Sequence, residues 1–384
     1  MINRDRPLIA HILFRLDYGG MENGIVNLVN ELPHEQFRHV VVALSEATKF
    51  RERITRSDVE VYALHKQAGK DFLAYWRLYK LLRQLKPDLV HTRNIGTLDC
   101  AVIAWLAGVP IRVHGEHGWD VHDPDGTSLK YIWVRRLINR FVSRFIAVSQ
   151  DLQSYLVQVV GINPQKTIHI YNGVDTKKFV PRQNGMASVL PAGIFPIGCV
   201  VIGSVTRFNE IKDPLNLVQA FISLRRDLRK QHVNVRLLMI GDGPLHSLAL
   251  NLLQEAGEAD AAWLPGSRDD IPSLLKEMDV FVLGSLKEGI SNTLLESMAT
   301  GIPLVATLTG GNINLIESGV MGMLVPVGNP QALADALLSY VKDAELRQRH
   351  GAAARARAES RYSLANMLDG YSNLYSSLMQ RKQG

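Results

Sequence analysis

Two carboxylates, Glu288 and Glu296, stand with seven residues between them in LKEGISNTLLESMATGIPLVAT, the stretch from Leu286 to Thr307. Between them Gly289, Ile290, Ser291 and Asn292 read as a turn that opens a short helix, and Gly301-Ile302-Pro303 leads into a strand. A helix N-terminus offers backbone N–H groups and the positive end of a dipole to an anion such as a diphosphate. Carboxylates accept hydrogen bonds from sugar hydroxyls. The pattern predicts a nucleotide-sugar site, with one carboxylate beside a sugar ring and the other beside a ribose.

Three other clusters carry chemistry. Asp17-Tyr18-Gly19-Gly20-Met21-Glu22 follows a strand and opens a helix, and its glycines let the backbone approach an anion closely. The dinucleotide fingerprint GxGxxG is absent there. Arg112-Val113-His114-Gly115-Glu116-His117-Gly118-Trp119-Asp120 ends another strand. Its histidines do not have the helical H-E-x-x-H spacing of a metal site, so a cleft histidine with a hydrogen-bonding or acid/base role is expected. Thr206-Arg207-Phe208-Asn209-Glu210-Ile211-Lys212-Asp213-Pro214 lies between a strand and a helix. Arg207 can grip phosphate oxygens with its planar fork, and Lys212 can supply a point charge to the same anion.

These clusters need elements to hold them. Short β-branched runs alternate with helical patterns through the chain, which predicts parallel sheets covered on both faces. Strands are expected at Leu8–Leu16, His39–Leu44, Val59–Leu64, Leu89–Thr92, Arg112–Gly115, Phe145–Val148 and Ile168–Ile170. A second series is expected at Cys199–Val205, Arg236–Ile240, Ala262–Leu264, Val280–Leu283, Leu304–Ala306 and Met323–Val325. Two series, with 384 residues in all, predict two doubly wound domains facing a cleft, joined through the Gly- and Pro-rich stretch 172–196. The boundaries expected are 1–172 and 173–362, with a last helix at 363–384. Trp133–Phe145 reads as one helix, with Trp133, Leu137, Ile138, Phe141 and Phe145 as its apolar stripe and Arg135, Arg136, Arg140 and Arg144 largely elsewhere.

Hydrophobic residues make up 46% of the chain and charged residues 21%, the balance of a globular protein. The net charge is +6. Nearly all of the basic excess falls before residue 173, which suits an anionic ligand or membrane surface. The basic residues form no aromatic-interleaved strip, so no nucleic-acid partner is expected. Two cysteines, Cys100 and Cys199, preclude a disulfide framework and read as buried free thiols of a reducing compartment. No signal peptide or bilayer-spanning run is read, so a cytoplasmic protein is expected, with at most peripheral contact at the inner face of the membrane.

Glu288-Gly289-Ile290-Ser291-Asn292-Thr293-Leu294-Leu295-Glu296 resembles the E-x7-E signature of family 4 retaining glycosyltransferases. Gly19-Gly20-Met21-Glu22 is similar to that family's GG-x-E loop, Asn172-Gly173-Val174-Asp175 to its N-G-V-D interdomain segment, and Gly310-Gly311-Asn312 to its second glycine loop. The resemblance covers essentially the whole chain and extends to sugar transferases of bacterial exopolysaccharide loci. It implies a GT-B fold: two Rossmann-like domains, with the final helix crossing back onto the first. It implies a nucleotide-diphosphate sugar as donor, UDP favoured, a saccharide or lipid-linked acceptor, and no required metal or cofactor. By the same resemblance Glu296 binds ribose hydroxyls, and Glu288 with Gly289–Asn292 holds the sugar. Arg207 and Lys212 neutralise the diphosphate, Gly19 and Gly20 close over the phosphates, and His117 is the active-site histidine, with His114 competing. The chain departs from the family at Ile313-Asn314, where Pro-Glu is common. A nucleotide-sugar epimerase and a non-catalytic sugar-nucleotide-binding protein are the alternatives.

Overall fold

The computed structural model describes residues 6–69, 71–119, 123, 125–183, 185–229, 231 and 233–380. The chain forms two compact units. One contains residues up to Gly173 together with Leu364–Gly384, and the other spans Val174–Ser363.

The first unit opens with β1 (Leu8–Leu13), α1 (Gly20–Glu31), β2 (Arg38–Ala43) and β3 (Glu60–Ala63). It continues with α2 (Phe72–Leu85), β4 (Leu89–Arg93), α3 (Ile95–Leu98) and α4 (Cys100–Leu106). Then come β5 (Ile111–Glu116), α5 (Leu129–Ile138), β6 (Arg144–Ala147), α6 (Gln150–Ser154) and β7 (Thr167–His169). The seven strands are all parallel, in the order β3-β2-β1-β4-β5-β6-β7. Strand order reverses between β1 and β4, whose register sets His11 beside His91. The side chains of β1 are buried along its whole length, as expected for a strand covered on both faces.

The second unit runs β8 (Val200–Val205), α7 (Pro214–Leu228), β9 (Val235–Ile240), α8 (His246–Glu255), β10 (Ala262–Gly266) and α9 (Ile271–Leu275). It continues β11 (Val280–Leu283), α10 (Asn292–Thr300), β12 (Leu304–Thr307), α11 (Gly311–Leu315) and β13 (Gly322–Val325). It closes with α12 (Pro330–Lys342) and α13 (Ala344–Arg361). Its six strands are parallel in the order β10-β9-β8-β11-β12-β13, with the reversal between β8 and β11. The chain then enters α14 (Leu364–Gln380), which belongs to the first unit. There Met367, Tyr371, Leu374, Tyr375 and Leu378 pack on Ile9, Leu89, Val113 and Ile146 and cover one face of the sheet.

Each expected strand is present, with ends shifted by up to three residues. The helix read at Trp133–Phe145 is not. It starts at Leu129 and ends at Ile138, a single 3-10 turn follows at Asn139–Phe141, and Phe145 lies inside β6. Its rotation also differs from the expected stripe. Ile132, Arg135 and Ile138 point inward while Trp133 and Leu137 are exposed. The cause is Glu116, buried at the end of β5, which Arg135 pairs with from Nε at 2.7 Å. A buried carboxylate requires such a partner, and meeting it turns the helix. Cys100 is buried as expected, but Cys199 is only half-buried.

Helix α13 fixes α10 from behind. Arg355 donates to the carbonyls of Ala299, Phe179 (2.6 Å) and Thr176 (3.0 Å). The helices touch where Gly351 meets the Gly301 carbonyl, and a Cβ at 351 would fall 2.2 Å from that oxygen. Gly351→Ala should therefore cost about 1–3 kcal/mol, as overpacking does. Urea unfolding checks this, and an unchanged midpoint would contradict the packing described.

Candidate functional site

In open α/β sheets ligands sit outside the carboxyl ends of the strands, where strand order reverses. In the second unit that position lies between the loops after β8 and β11. The two loops are tied by a backbone hydrogen bond from Leu286 N to Ile211 O at 2.8 Å. Lys212 Nζ reaches across to Glu288 Oε1 at 2.6 Å, and Ser285 Oγ donates to the same oxygen at 2.7 Å. Glu288 is thus a buried, paired carboxylate. Arg207, from the same loop as Lys212, is exposed and makes no hydrogen bond or ion pair among the described residues.

The loop after β12 closes on Glu288 from the other side. Gly311 N donates to the Glu288 carbonyl at 3.3 Å. A Cβ at Gly310 would lie 1.9 Å from that carbonyl, and one at Gly311 would lie 1.7 Å from the carbonyl of Gly289. Only glycines allow this approach. Asn312 is buried and donates to Thr307 O at 3.0 Å, while Ile313, where the family pattern differs, is half-exposed.

Helix α10 begins here. Ser291 caps it by accepting from Leu294 N at 3.3 Å, which leaves the turn Gly289–Asn292 at its positive end. Glu296 lies one turn into α10, half-buried, and its carboxyl makes no hydrogen bond or ion pair among the described residues. Burial pushes its carboxyl up to about 7, with Lys178 opposing the rise. The structure sets the two carboxylates apart: Glu288 is paired with Lys212 and Ser285, whereas the Glu296 carboxyl has no partner among the described residues. Arg268 is paired with Asp270 at the exposed edge of the sheet beyond β10.

The first unit holds the remaining expected residues. Gly19 caps α1 and Gly20 is its first residue, and the side chain of Glu22 turns back over Gly19, since a Cβ there would lie 2.1 Å from Glu22 Oε2. His114 is fully buried, bonded through Nδ1 to Thr92 Oγ1 at 2.8 Å. His117, just past the end of β5, borders a crevice. Burial and the charge of Arg93 hold His117 neutral, with its pKa down to about 3. Glu116 belongs to the ion pair with Arg135, which holds it ionised with its pKa at about 2 against the opposing effect of burial. It is not free for acid/base work. No group of three or more metal-ligating side chains occurs among the described residues. Asp120 lies outside them.

Sequence reasoning missed Arg93. A charge ending an otherwise apolar strand, in His91-Thr92-Arg93, was the available signal. It missed Tyr371 as well, which no local pattern marks.

Glu296 makes a pH prediction. Its folded pKa of about 7 lies above the ordinary carboxylate value of 4.5. Between those values the folded protein holds a proton that the unfolded chain has released, so stability falls as pH rises through that window. Glu296→Gln should remove this slope, gaining about 3 kcal/mol over wild type at pH 8 relative to pH 4. Denaturant titrations of both proteins at the two pH values check it. Parallel curves would contradict the burial of an unpaired carboxyl.

Comparison with known proteins places this geometry. Residues 18–178 match the family model Glycosyltransferase Family 4, and residues 198–357 match Glycosyl transferases group 1. The chain is 29% identical over 345 residues to the UDP-Gal:alpha-D-GlcNAc-diphosphoundecaprenol alpha-1,3-galactosyltransferase of Escherichia coli, covering 87% of this chain and 88% of the other. It is 28% identical over 328 residues to the N-acetyl-alpha-D-glucosaminyl L-malate synthase of Bacillus anthracis, covering 84% and 83%. The crystal structure of Anabaena Alr3699/HepE in complex with UDP superposes with a TM-score of 0.78 at 22% identity, covering 97% of this chain and 100% of the other. These matches support transfer, and none of them supports the epimerase alternative. Sugar-transferase models match most of the chain in tandem, and the two parallel sheets are those of a GT-B fold, so the chain is a glycosyltransferase in which a Glycosyltransferase Family 4 domain precedes a Glycosyl transferases group 1 domain.

Proposed function

We propose that this glycosyltransferase takes its sugar from a UDP-sugar and passes it, with retained anomeric configuration, to a saccharide or lipid-linked acceptor in cell-surface polysaccharide synthesis. The observation that carries the donor half is the Lys212–Glu288 pair, which ties the loops after β8 and β11 where strand order reverses. The same loops and the helix that follows supply Arg207, the N-terminus of α10 at Gly289–Asn292, and Glu296. In this reading Glu296 accepts the ribose hydroxyls. Glu288 and the backbone of Gly289, Ile290, Ser291 and Asn292 hold the sugar. Arg207 and Lys212 take up the charge of the departing diphosphate, and no metal or cofactor is required. UDP is favoured because the Escherichia coli relative is named for a UDP-Gal donor and the Anabaena structure holds UDP. The same relative is named for a lipid-linked acceptor.

Glu288 is held by Lys212 and Ser285, which suits a hydrogen-bonding role more than that of a nucleophile. The bond from the sugar's anomeric carbon to the diphosphate breaks and the bond to the acceptor oxygen forms on the same face. The acceptor's proton passes to a phosphate oxygen of the leaving group. Positioning and charge stabilisation then supply the rate. Neutral His117 contributes as a hydrogen-bond partner to the sugar, and Gly19-Gly20 as a close backbone approach to the phosphates. Lys212→Ala and Arg207→Ala should each lower kcat by on the order of 100-fold, as loss of a preorganised charge stabiliser does. Sugar release from UDP-sugars measures it, and near-normal turnover in both variants would contradict the assignment.

We also place the protein at the cytoplasmic face of an anionic membrane, touching it peripherally. No described helix is long and apolar enough to cross one. Support comes from α5, which exposes Leu129, Trp133 and Leu137 (71%, 64% and 58%) with Lys130, Arg136 and Arg140 also exposed. Apolar side chains flanked by basic ones suit an anionic interface. Binding to anionic vesicles at low salt should weaken roughly tenfold in Trp133→Ser/Leu137→Ser, given the apolar area removed. Wild-type protein that fails to sediment with such vesicles would refute the placement.

A further inference from the structure

The first unit has a crevice of its own where its strand order reverses. It is lined by Met21, Gly24, Leu28, Arg93, His117 and Tyr371, among others, and holds about 10 Å³, room for one oxygen-sized group. Arg93 is 3% exposed, in register with Gly115 on the next strand. Its guanidinium donates to His11 Nδ1 at 3.1 Å, His91 Nδ1 at 3.2 Å and the His91 carbonyl at 3.4 Å. Because arginine only donates, both Nδ1 atoms are acceptors. These partners solvate the cation without neutralising it. Burial, reinforced by the charge of Arg93, keeps His11 and His91 well below the usual histidine pKa. Among the described residues no carboxylate forms an ion pair with Arg93. Glu22 acts on it from a distance, its side chain lying over Gly19.

Tyr371 faces the same crevice from α14. It is 4% exposed, and its hydroxyl makes no hydrogen bond among the described residues. Its neighbour Tyr375 is engaged with His91 Nδ1 at 2.8 Å.

We propose that this crevice is the subsite for an acidic group of the acceptor, one anionic oxygen of a phosphate or carboxylate seating between the Arg93 guanidinium and the Tyr371 hydroxyl. The proposal rests on the transferase reading above and names the chemical class of its acceptor. A neutral hydroxyl would leave the buried cation uncompensated. An anionic oxygen answers it with a charge-assisted hydrogen bond and gives the Tyr371 O–H an acceptor. The size of the crevice admits the oxygen and leaves the rest of the acceptor outside.

The test uses the full chain saturated with UDP, so that Arg207 and Lys212 are occupied. Inorganic phosphate and, separately, acetate are titrated calorimetrically. Saturable binding of phosphate assigns a phosphate subsite, and binding of acetate alone assigns a carboxylate subsite. Whichever anion binds wild type should bind Tyr371→Phe about tenfold more weakly, the loss expected for one hydrogen bond to a charged group, and should not bind Arg93→Gln detectably. UDP affinity should be equal in all three proteins. Absence of binding by both anions, or equal binding in wild type and Tyr371→Phe, overturns the subsite. Tyr371→Phe keeps the ring's packing and decides the matter even if Arg93→Gln does not fold. Failure of wild type to bind UDP would instead overturn the donor reading, and the anion titration stands without it.

Discussion

The ion pair between Lys212 and Glu288 is the contact on which the second unit's site is organised. It joins the two loops that leave adjacent strands on either side of the reversal in strand order. A salt bridge this sheltered costs desolvation, and it persists because Ser285 also donates to Glu288 Oε1. Arg207, in the same loop as Lys212, is exposed and has no such partner among the described residues.

Packing around Glu288 explains why the glycines after β12 matter. Gly310 and Gly311 lie against the carbonyls of Glu288 and Gly289 so closely that no side chain fits. They fix the backbone that turns into α10, and α13 holds that helix from behind through Arg355 and Gly351. The helix N-terminus is thereby aimed by contacts on three sides, which is what preorganisation requires.

Much of this was legible in the sequence. Valine- and isoleucine-rich runs such as His39–Leu44 announced strands because parallel sheets bury both faces. Glycine loops and the Glu288–Glu296 pair marked the strand ends that carry ligands. What could not be read was pairing over distance. Nothing local tells that Arg135 must turn inward for Glu116, and so the exposed face of α5 was misjudged. Nothing local distinguishes His114, locked to Thr92, from His117 three residues later. Tyr371 lies 278 residues beyond Arg93 in the chain and meets the same crevice only because α14 returns to the first sheet.

The central claim is that the loops after β8 and β11 hold the nucleotide. A crystal structure of the protein with UDP tests it most directly. The account predicts ribose hydroxyls on the Glu296 carboxylate, and the diphosphate between Arg207, Lys212 and the backbone N–H groups that open α10. UDP bound elsewhere, or with its ribose away from Glu296, would contradict it.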